Sequence, residues 1–385
     1  MDTGPTVEWT EGDQTRSARW RSERGAPPPM RVMIADDRMT AAEAYGLACQ
    51  GTALLWRGDF NNARQLLIAM ARRADRKPRA REPSPDATPR RSCAERFHLH
   101  RQAQSQRART LGMLLIELDA VYDIALRRAP DLRQACVEAY GPAESASLVA
   151  LRELLGVIGA HEWRVKGIEV PAIDGRIHPH YGVFAPVRRE YVDLVAKAPL
   201  PAVNGMPAVA FDIGTGTGVL AAVLARRGIG HIVATDRDSR ALDCARANIA
   251  RLGLARRVEV VKADLFPEGR APLVVCNPPW IPARPSSPIE HGIFDPDSRM
   301  LHGFLEALPV HLEVRGEAWL ILSDFAEHLG LRSRANLLAA FDQAGLHVVA
   351  RHDVRPTHPR AADTNDPLYE ARKAEVTSLW RLAVQ

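Results

Sequence analysis

No apolar run in this 385-residue chain approaches the roughly 18–20 residues needed to cross a bilayer, so a membrane-spanning class is set aside. The first 30 residues hold no apolar segment of the kind that heads a secretory signal. Asp2, Glu8, Glu11, Asp13 and Glu23 make them more acidic than a transit peptide. Cysteine is sparse: Cys49, Cys93, Cys136, Cys244 and Cys276 are odd in number, scattered, and form no C-x-x-C pair. Neither a disulfide framework nor a zinc cluster is therefore expected, and the usage suits a reducing cytoplasm. Lysine is scarcer still relative to arginine, five of 51 basic residues, which points to a compositional bias. What is present, 46% hydrophobic and 25% charged residues, is the composition of a globular protein with room for two domains.

The net charge of +5 is concentrated. Residues 72–91 carry eight Arg/Lys against three Asp/Glu, a surplus equal to the whole net charge. Four prolines in the same stretch make it a flexible basic linker, and a solvated connector accounts for it more simply than a phosphate-binding arm. Residues 1–38, polar and containing Ala26-Pro27-Pro28-Pro29, are expected to be a disordered tail. Ala44, Leu47, Leu54 and Leu55, then Ala63, Leu66, Leu67 and Met70, follow helical spacing on either side of Gly58-Asp59. With further helices expected near 101–128, 131–140 and 143–159, residues 39–161 read as an all-helical domain.

The pattern changes at residue 162. A turn signal at Asp174-Gly175 lies between β-rich pieces, and from Pro207 short apolar strands alternate with helical stretches: AVAFDI, HIVAT, VEVVKA, LVVC, AWLILS, HVVAR and TSLWRLAV. Such alternation predicts a doubly covered α/β sheet over 162–385, with ligands beyond the carboxyl ends of its strands. The informative residues do follow the strands. Gly214, Thr215, Gly216 and Gly218 open a helix after the first, where glycines permit close approach and free amides favour an anionic group. Asp236 ends the second, placed to accept from both ribose hydroxyls, and Asp264 ends the third, placed to meet a base edge. A dinucleotide fingerprint would require Gly or Ala where Val219 stands, which speaks against a nicotinamide-dependent oxidoreductase, the alternative of another class. A non-enzymatic RNA-binding module is a third alternative.

The pattern D-x-G-x-G-x-G from Asp212 to Gly218 resembles motif I of the class I S-adenosylmethionine-dependent methyltransferases, over roughly residues 163–385. That resemblance implies a Rossmann-like sheet of seven strands with the last, TSLWRLAV, antiparallel. It implies that Asp212 and Gly214–Gly218 hold the methionine end of S-adenosylmethionine, Asp236 its ribose, and Asp264 with Leu265 its adenine. Asn277-Pro278-Pro279-Trp280 after the fourth strand is similar to motif IV of enzymes that methylate planar nitrogens, among them release-factor glutamine and ribosomal RNA guanine and adenine enzymes. The chemistry fits. A conjugated amine is a poor nucleophile, and two acceptors aimed at its N–H bonds position it and favour the charge that develops. The Asn277 side-chain oxygen and the Pro278 carbonyl can be those acceptors, Pro279 stiffens the loop, and Trp280, where Tyr or Phe is commoner, can stack on the flat group.

His178 to Pro186 looks like a G-V-F-S stretch near the cofactor mouth in the same branch, with Ala185 replacing the small hydroxyl residue. His178 and His180 form an H-x-H pair without further spaced ligands, so no metal is expected. Phe294 to Arg299 reads either as a border of the substrate opening or as a loop with a helix cap, and Asp324 is undecided. The expectation is an N-methyltransferase in the cytoplasm, acting on a macromolecule rather than at a membrane. The order helical domain, hairpin, catalytic domain tilts it to a protein glutamine; an RNA base is the alternative.

Overall fold

The computed structural model describes residues 4–76, 92–201, 206–357 and 363–385. Most of the expected basic linker, residues 77–91, lies outside the described residues. The chain divides into two units, residues 1–91 with 98–162, and residues 92–97 with 163–385. No helix among the described residues is long and apolar enough to cross a membrane.

The first unit overturns two expectations. In place of a disordered tail, β1 (Thr6–Glu11) and β2 (Gln14–Arg21) form an antiparallel hairpin around Gly12, and β3 (Arg31–Ala35) follows. The signal was period-two alternation amid polar residues: Val7, Trp9, Ala18 and Trp20 are buried together on one face. In place of an all-helical domain, the chain runs α1 (Ala41–Cys49), β4 (Thr52–Trp56), α2 (Phe60–Ala74), α3 (Cys93–Leu111), β5 (Leu114–Leu118), α4 (Arg133–Tyr140), β6 (Ser147–Ala150) and α5 (Leu151–Lys166). The six strands form a mixed sheet in the order β1-β2-β6-β5-β4-β3. Leu54 and Leu55 fit a helical template in sequence, yet they sit on opposite faces of a strand. Leu54 and Trp56 pack in one apolar cluster, Ala53 and Leu55 in another. Leu114 and Ile116 join the first cluster and Leu115 the second. A five-residue apolar run buried on both faces carries no period that separates strand from helix.

The second unit follows expectation closely. A small hairpin, β7 (Ile168–Val170) and β8 (Gly175–Ile177), turns at Asp174 and leads to α6 (Glu190–Lys197). Then come β9 (Val209–Ile213), α7 (Val219–Arg226), β10 (His231–Asp236), α8 (Ser239–Arg251), β11 (Val258–Lys262) and β12 (Ala271–Cys276). The remainder is α9 (Arg299–His311), β13 (Leu312–Ser323), α10 (Phe325–His328), α11 (Arg334–Gln343), β14 (Leu346–Val354), α12 (Tyr369–Ala374) and β15 (Thr377–Val384). The seven-stranded order is β11-β10-β9-β12-β13-β15-β14, and β15 is antiparallel to both neighbours. Ala210, Leu273, Val275, Trp319 and Ile321 face one buried cluster; Phe211, Ile213, Val274, Cys276 and Leu320 face the other. Each of the Leu, Val, Ile and Phe side chains among them contributes about 1.5–3 kcal/mol of transfer free energy.

Register places the site. The order reverses between β9 and β12, and Ile213 pairs directly with Cys276, so Gly214 and Asn277 leave the sheet side by side. Thr235 pairs with Ile213 on the other flank, which puts Asp236 at the same edge. This is the switch point at which open α/β sheets bind ligands.

Candidate active site

The glycine loop is shaped from within. Gly214, Gly216 and Gly218 have φ of +70°, +56° and +80°, a region in which a side chain is strained. A Cβ on Gly214 would also meet the Met300 methyl at 2.6 Å, and one on Gly218 would press on Ala245 of α8 at 3.3 Å. Asp212, expected to hold the cofactor, is 1% exposed. Its Oδ2 accepts from the Thr215 hydroxyl at 2.6 Å and from the Ala221 amide at 3.0 Å, so it ties the loop to the first turn of α7. Burial pushes its pKa up to about 6, against the opposing effect of those two hydrogen bonds. The Thr215 amide donates to the Thr235 carbonyl at 2.8 Å, fastening the loop to β10.

Asp236 stands where a ribose acceptor is expected. Its Oδ2 accepts from the Gly216 amide and its Oδ1 from the Asp238 amide, each at 3.0 Å. Burial raises its pKa, and those backbone donors oppose the shift. Each carboxylate oxygen has a further lone pair, so two hydroxyls can still be accepted. Asp264 follows β11 as an exposed residue in a bend, and the neighbouring Ala263 amide donates to the Asp236 carbonyl at 3.1 Å. Leu265 has φ +77°, and its carbonyl accepts from the Thr235 hydroxyl at 2.5 Å, so its backbone is clamped beside Asp236.

The Asn277–Trp280 loop holds the finding that sequence reasoning did not contain. Trp280 Nε1 donates to Asn277 Oδ1 at 2.8 Å; the expected acceptor and the expected stacking wall are bonded to each other. An indole N–H can only donate, so the bond defines which end of the amide is oxygen. One lone pair of Oδ1 is left for a second donor. Pro278 is buried and the other three residues of the loop are partly buried. The loop is then stitched to residues 293–295: the Ile281 amide donates to the Ile293 carbonyl and the Asp295 amide to the Ile281 carbonyl.

The remaining motifs divide cleanly. Asp295 accepts from the Met300 and Leu301 amides at 2.9–3.2 Å, so this stretch is a cap of α9. Asp324 accepts from the Val376 amide at 2.7 Å and joins the end of β13 to the start of β15. His178 is bonded through Nδ1 to the Arg164 carbonyl at 2.7 Å, and its amide donates to Asn248. Phe184 of the G-V-F stretch abuts Gly292, where a Cβ would fall 2.5 Å from it. Among the described residues no group of three or more His, Cys, Asp or Glu is placed to hold a metal ion.

Two further sets of residues were missed in sequence. Asn248, fully buried on α8, donates to the Thr217 carbonyl at 3.0 Å and to the His178 carbonyl at 3.3 Å, locking the glycine loop to the His178 segment. An asparagine among alanines on an amphipathic helix was the available signal. Arg188 lies over Trp280, its guanidinium carbon 4.8 Å from the ring centroid, and is held by Glu190, Glu375 and Thr377. No local pattern marks these residues.

A family model described as Methyltransferase small domain matches residues 174–345. A ribosomal protein L11 methyltransferase of Pelotomaculum thermopropionicum is 49% identical over 69 residues, 17% of this chain and 22% of that protein. A tRNA1(Val) (adenine(37)-N6)-methyltransferase of Shewanella sp. (strain MR-4) is 28% identical over 201 residues, 50% of this chain and 79% of that protein. A release factor glutamine methyltransferase of Cereibacter sphaeroides is 45% identical over 80 residues, 20% of this chain and 28% of that protein. The chain thus spans under a third of two of these relatives and about four fifths of the tRNA enzyme.

Proposed function

We propose, from the match of residues 174–345 to the Methyltransferase small domain family model, that the chain is an S-adenosylmethionine-dependent N-methyltransferase of planar amino groups. The observation that carries this reading is the pairing of Ile213 with Cys276, which sets the glycine loop and Asn277 side by side. The cofactor supplies an electrophilic methyl group on a sulfonium. On the chain's side, Asp236 accepts from the ribose hydroxyls, Asp264 and the Leu265 backbone border the base, and the glycine loop from Gly214 to Gly218 brings backbone against the methionine end. Asp212 acts through Thr215 and Ala221 by holding that loop in shape.

Asn277 Oδ1, already oriented by Trp280, accepts one N–H of the substrate through its second lone pair, and the Pro278 carbonyl accepts the other. These acceptors position the nitrogen and favour the positive charge that builds on it. No strong base is needed, because the methylated nitrogen is acidic enough to lose its proton to water.

A nucleic-acid base amine is the favoured substrate. The preference for protein glutamine rested on an N-terminal helical domain, and the described residues of the first unit instead build a six-stranded mixed sheet. The tRNA adenine enzyme is matched over 79% of its own length. Protein glutamine remains the second reading, favoured by the 45% identical segment. Labelled methyl transfer into an extract from a strain lacking this protein separates them. Label released by ribonuclease and not by protease is the expected result, and the reverse overturns the nucleic-acid reading in favour of a protein substrate. Failure to bind S-adenosylmethionine in calorimetry at high micromolar concentration, with NAD as the control, overturns both.

A further inference from the structure

We infer that Arg188 is a positioning residue for Asn277, acting through the Trp280 indole. The inference rests on the reading of the Asn277–Trp280 loop as the methyl-acceptor site. Trp280 is held at two points of different kind. Its edge donates from Nε1 to Asn277 Oδ1 at 2.8 Å, and one face lies under the Arg188 guanidinium, 4.8 Å from the ring centroid. A ring fixed at one edge and one face cannot swing, so the amide oxygen it bonds keeps its aim.

Arg188 is in turn held by α6, by the turn after α12 and by β15. Nη1 donates to Glu375 Oε1 at 2.9 Å, Nη2 to the Thr377 hydroxyl at 3.3 Å, and Nε to Glu190. Glu375 also accepts from the Ser323 hydroxyl at 2.7 Å, and Ser323 pairs with Thr377 across β13 and β15. The guanidinium, 18% exposed, lies between carboxylates 7% and 1% exposed. The relay therefore runs from the ends of β13 and β15 through Glu375, Arg188 and Trp280 to the end of β12.

Charge explains why a cation is tolerated there. Positive charge moves towards the substrate nitrogen as the methyl arrives, and a lone guanidinium nearby would oppose it. Two carboxylates on one guanidinium leave the group with a net charge of −1, so the planar cation can stack on the indole without that penalty. It also occupies one face of the ring. A flat substrate cannot use that face, and the indole serves more to aim the Asn277 amide than to sandwich the acceptor. Lysine reproduces the charge but neither the flat contact nor the fork that reaches three partners.

The test uses the full chain as wild type, Arg188→Lys, Trp280→Phe and the double variant. Lysine keeps a cation between Glu190 and Glu375, so folding is retained where a neutral residue would strand two buried carboxylates. Proteins labelled with 5-fluorotryptophan report the Trp280 resonance, assigned by its absence in Trp280→Phe. Arg188→Lys is expected to shift that resonance and to lower single-turnover methyl transfer about tenfold with S-adenosylmethionine affinity unchanged. The double variant is expected to be no slower than Trp280→Phe alone, because both changes cut one relay. An unmoved resonance, an unchanged rate, or losses that multiply in the double variant overturn the inference. If wild-type protein fails to bind S-adenosylmethionine, the proposed function falls, and the resonance alone decides whether Arg188 holds the indole.

Discussion

Both units set acidic residues just beyond parallel strands, and the two sets are treated in opposite ways. In the first unit, Asp37 follows β3 and Asp59 follows β4. Asp37 lies so close to Gly58 that a Cβ there would sit 2.4 Å from its Oδ1. It accepts from the Asn62 amide and the Asp59 N–H, and these hold its pKa below the ordinary value. Asp59 caps α2 and bonds Arg128 at 2.7 Å, with the same direction of shift. In the second unit, Asp212 and Asp236 are pushed upward by burial. A lowered value means the ionised form is well served by the protein's own donors; a raised one means that burial outweighs the donors present, which for Asp212 are Thr215 and Ala221 and for Asp236 are backbone amides. The carboxyl edge of a parallel sheet is a place where a site can be built; at that edge Asp37 and Asp59 are bonded to side chains and backbone of the first unit, while Asp236 of the second keeps lone pairs beyond its two backbone donors.

That contrast is most directly broken at Asn277. Asn277→Ala is expected to lower methyl transfer about 10²–10³-fold while calorimetry shows S-adenosylmethionine affinity nearly unchanged. Equal loss of both would make the residue part of the fold rather than of the acceptor site. Gly214→Ala comes next. With φ of +70° and a methyl at 2.6 Å, it is expected to weaken cofactor binding about tenfold or more, since the left-handed strain alone costs roughly 1–2 kcal/mol.

A pH-resolved effect follows at Asp212. Its folded-state pKa is raised to about 6, so from its ordinary value near 4 up to about 6 the native state keeps a proton that the unfolded chain has released. Stability from this group therefore falls as pH rises through that window. Asp212→Asn is expected to flatten the slope in denaturant titrations taken at a series of pH values; an unchanged slope removes Asp212 from the account. The smallest effect belongs to the first unit. Asp59→Ala removes a helix cap and is expected to lower the melting temperature by about 2–4 °C, with S-adenosylmethionine affinity intact. A large loss of affinity would mean that the acidic edge of the first unit serves the ligand after all.

The second unit was legible because its strands are separated by helices long enough to show a period, and because Gly214 and Asn277 stand immediately after a strand and Asp236 ends one. The first unit was not. TALLW and LLIEL are five-residue runs buried on both faces, and TVEWTE shows its alternation only through Val7 and Trp9. Neither length nor charge separated them from helix or tail. The same limit applied inside the site. Asp212 was expected to reach outward, but burial and the nearness of Thr215 and Ala221 turn it inward. Asn277 and Trp280 were read as two separate contacts with substrate, although an N–H donor three residues from an amide had the amide within reach.

What the sequence determined by itself is local. Glycines at 214, 216 and 218 permit the left-handed backbone, prolines at 278 and 279 end a strand, and an acid closes β10. Tertiary structure decided who meets whom. Cys276 beside Ile213, Arg188 over Trp280, and Glu375 bonded to Arg188 from 187 residues away all depend on the strand order β9-β12-β13-β15. That order is set by how two apolar faces are covered, a property of the assembled sheet that no short stretch of chain contains.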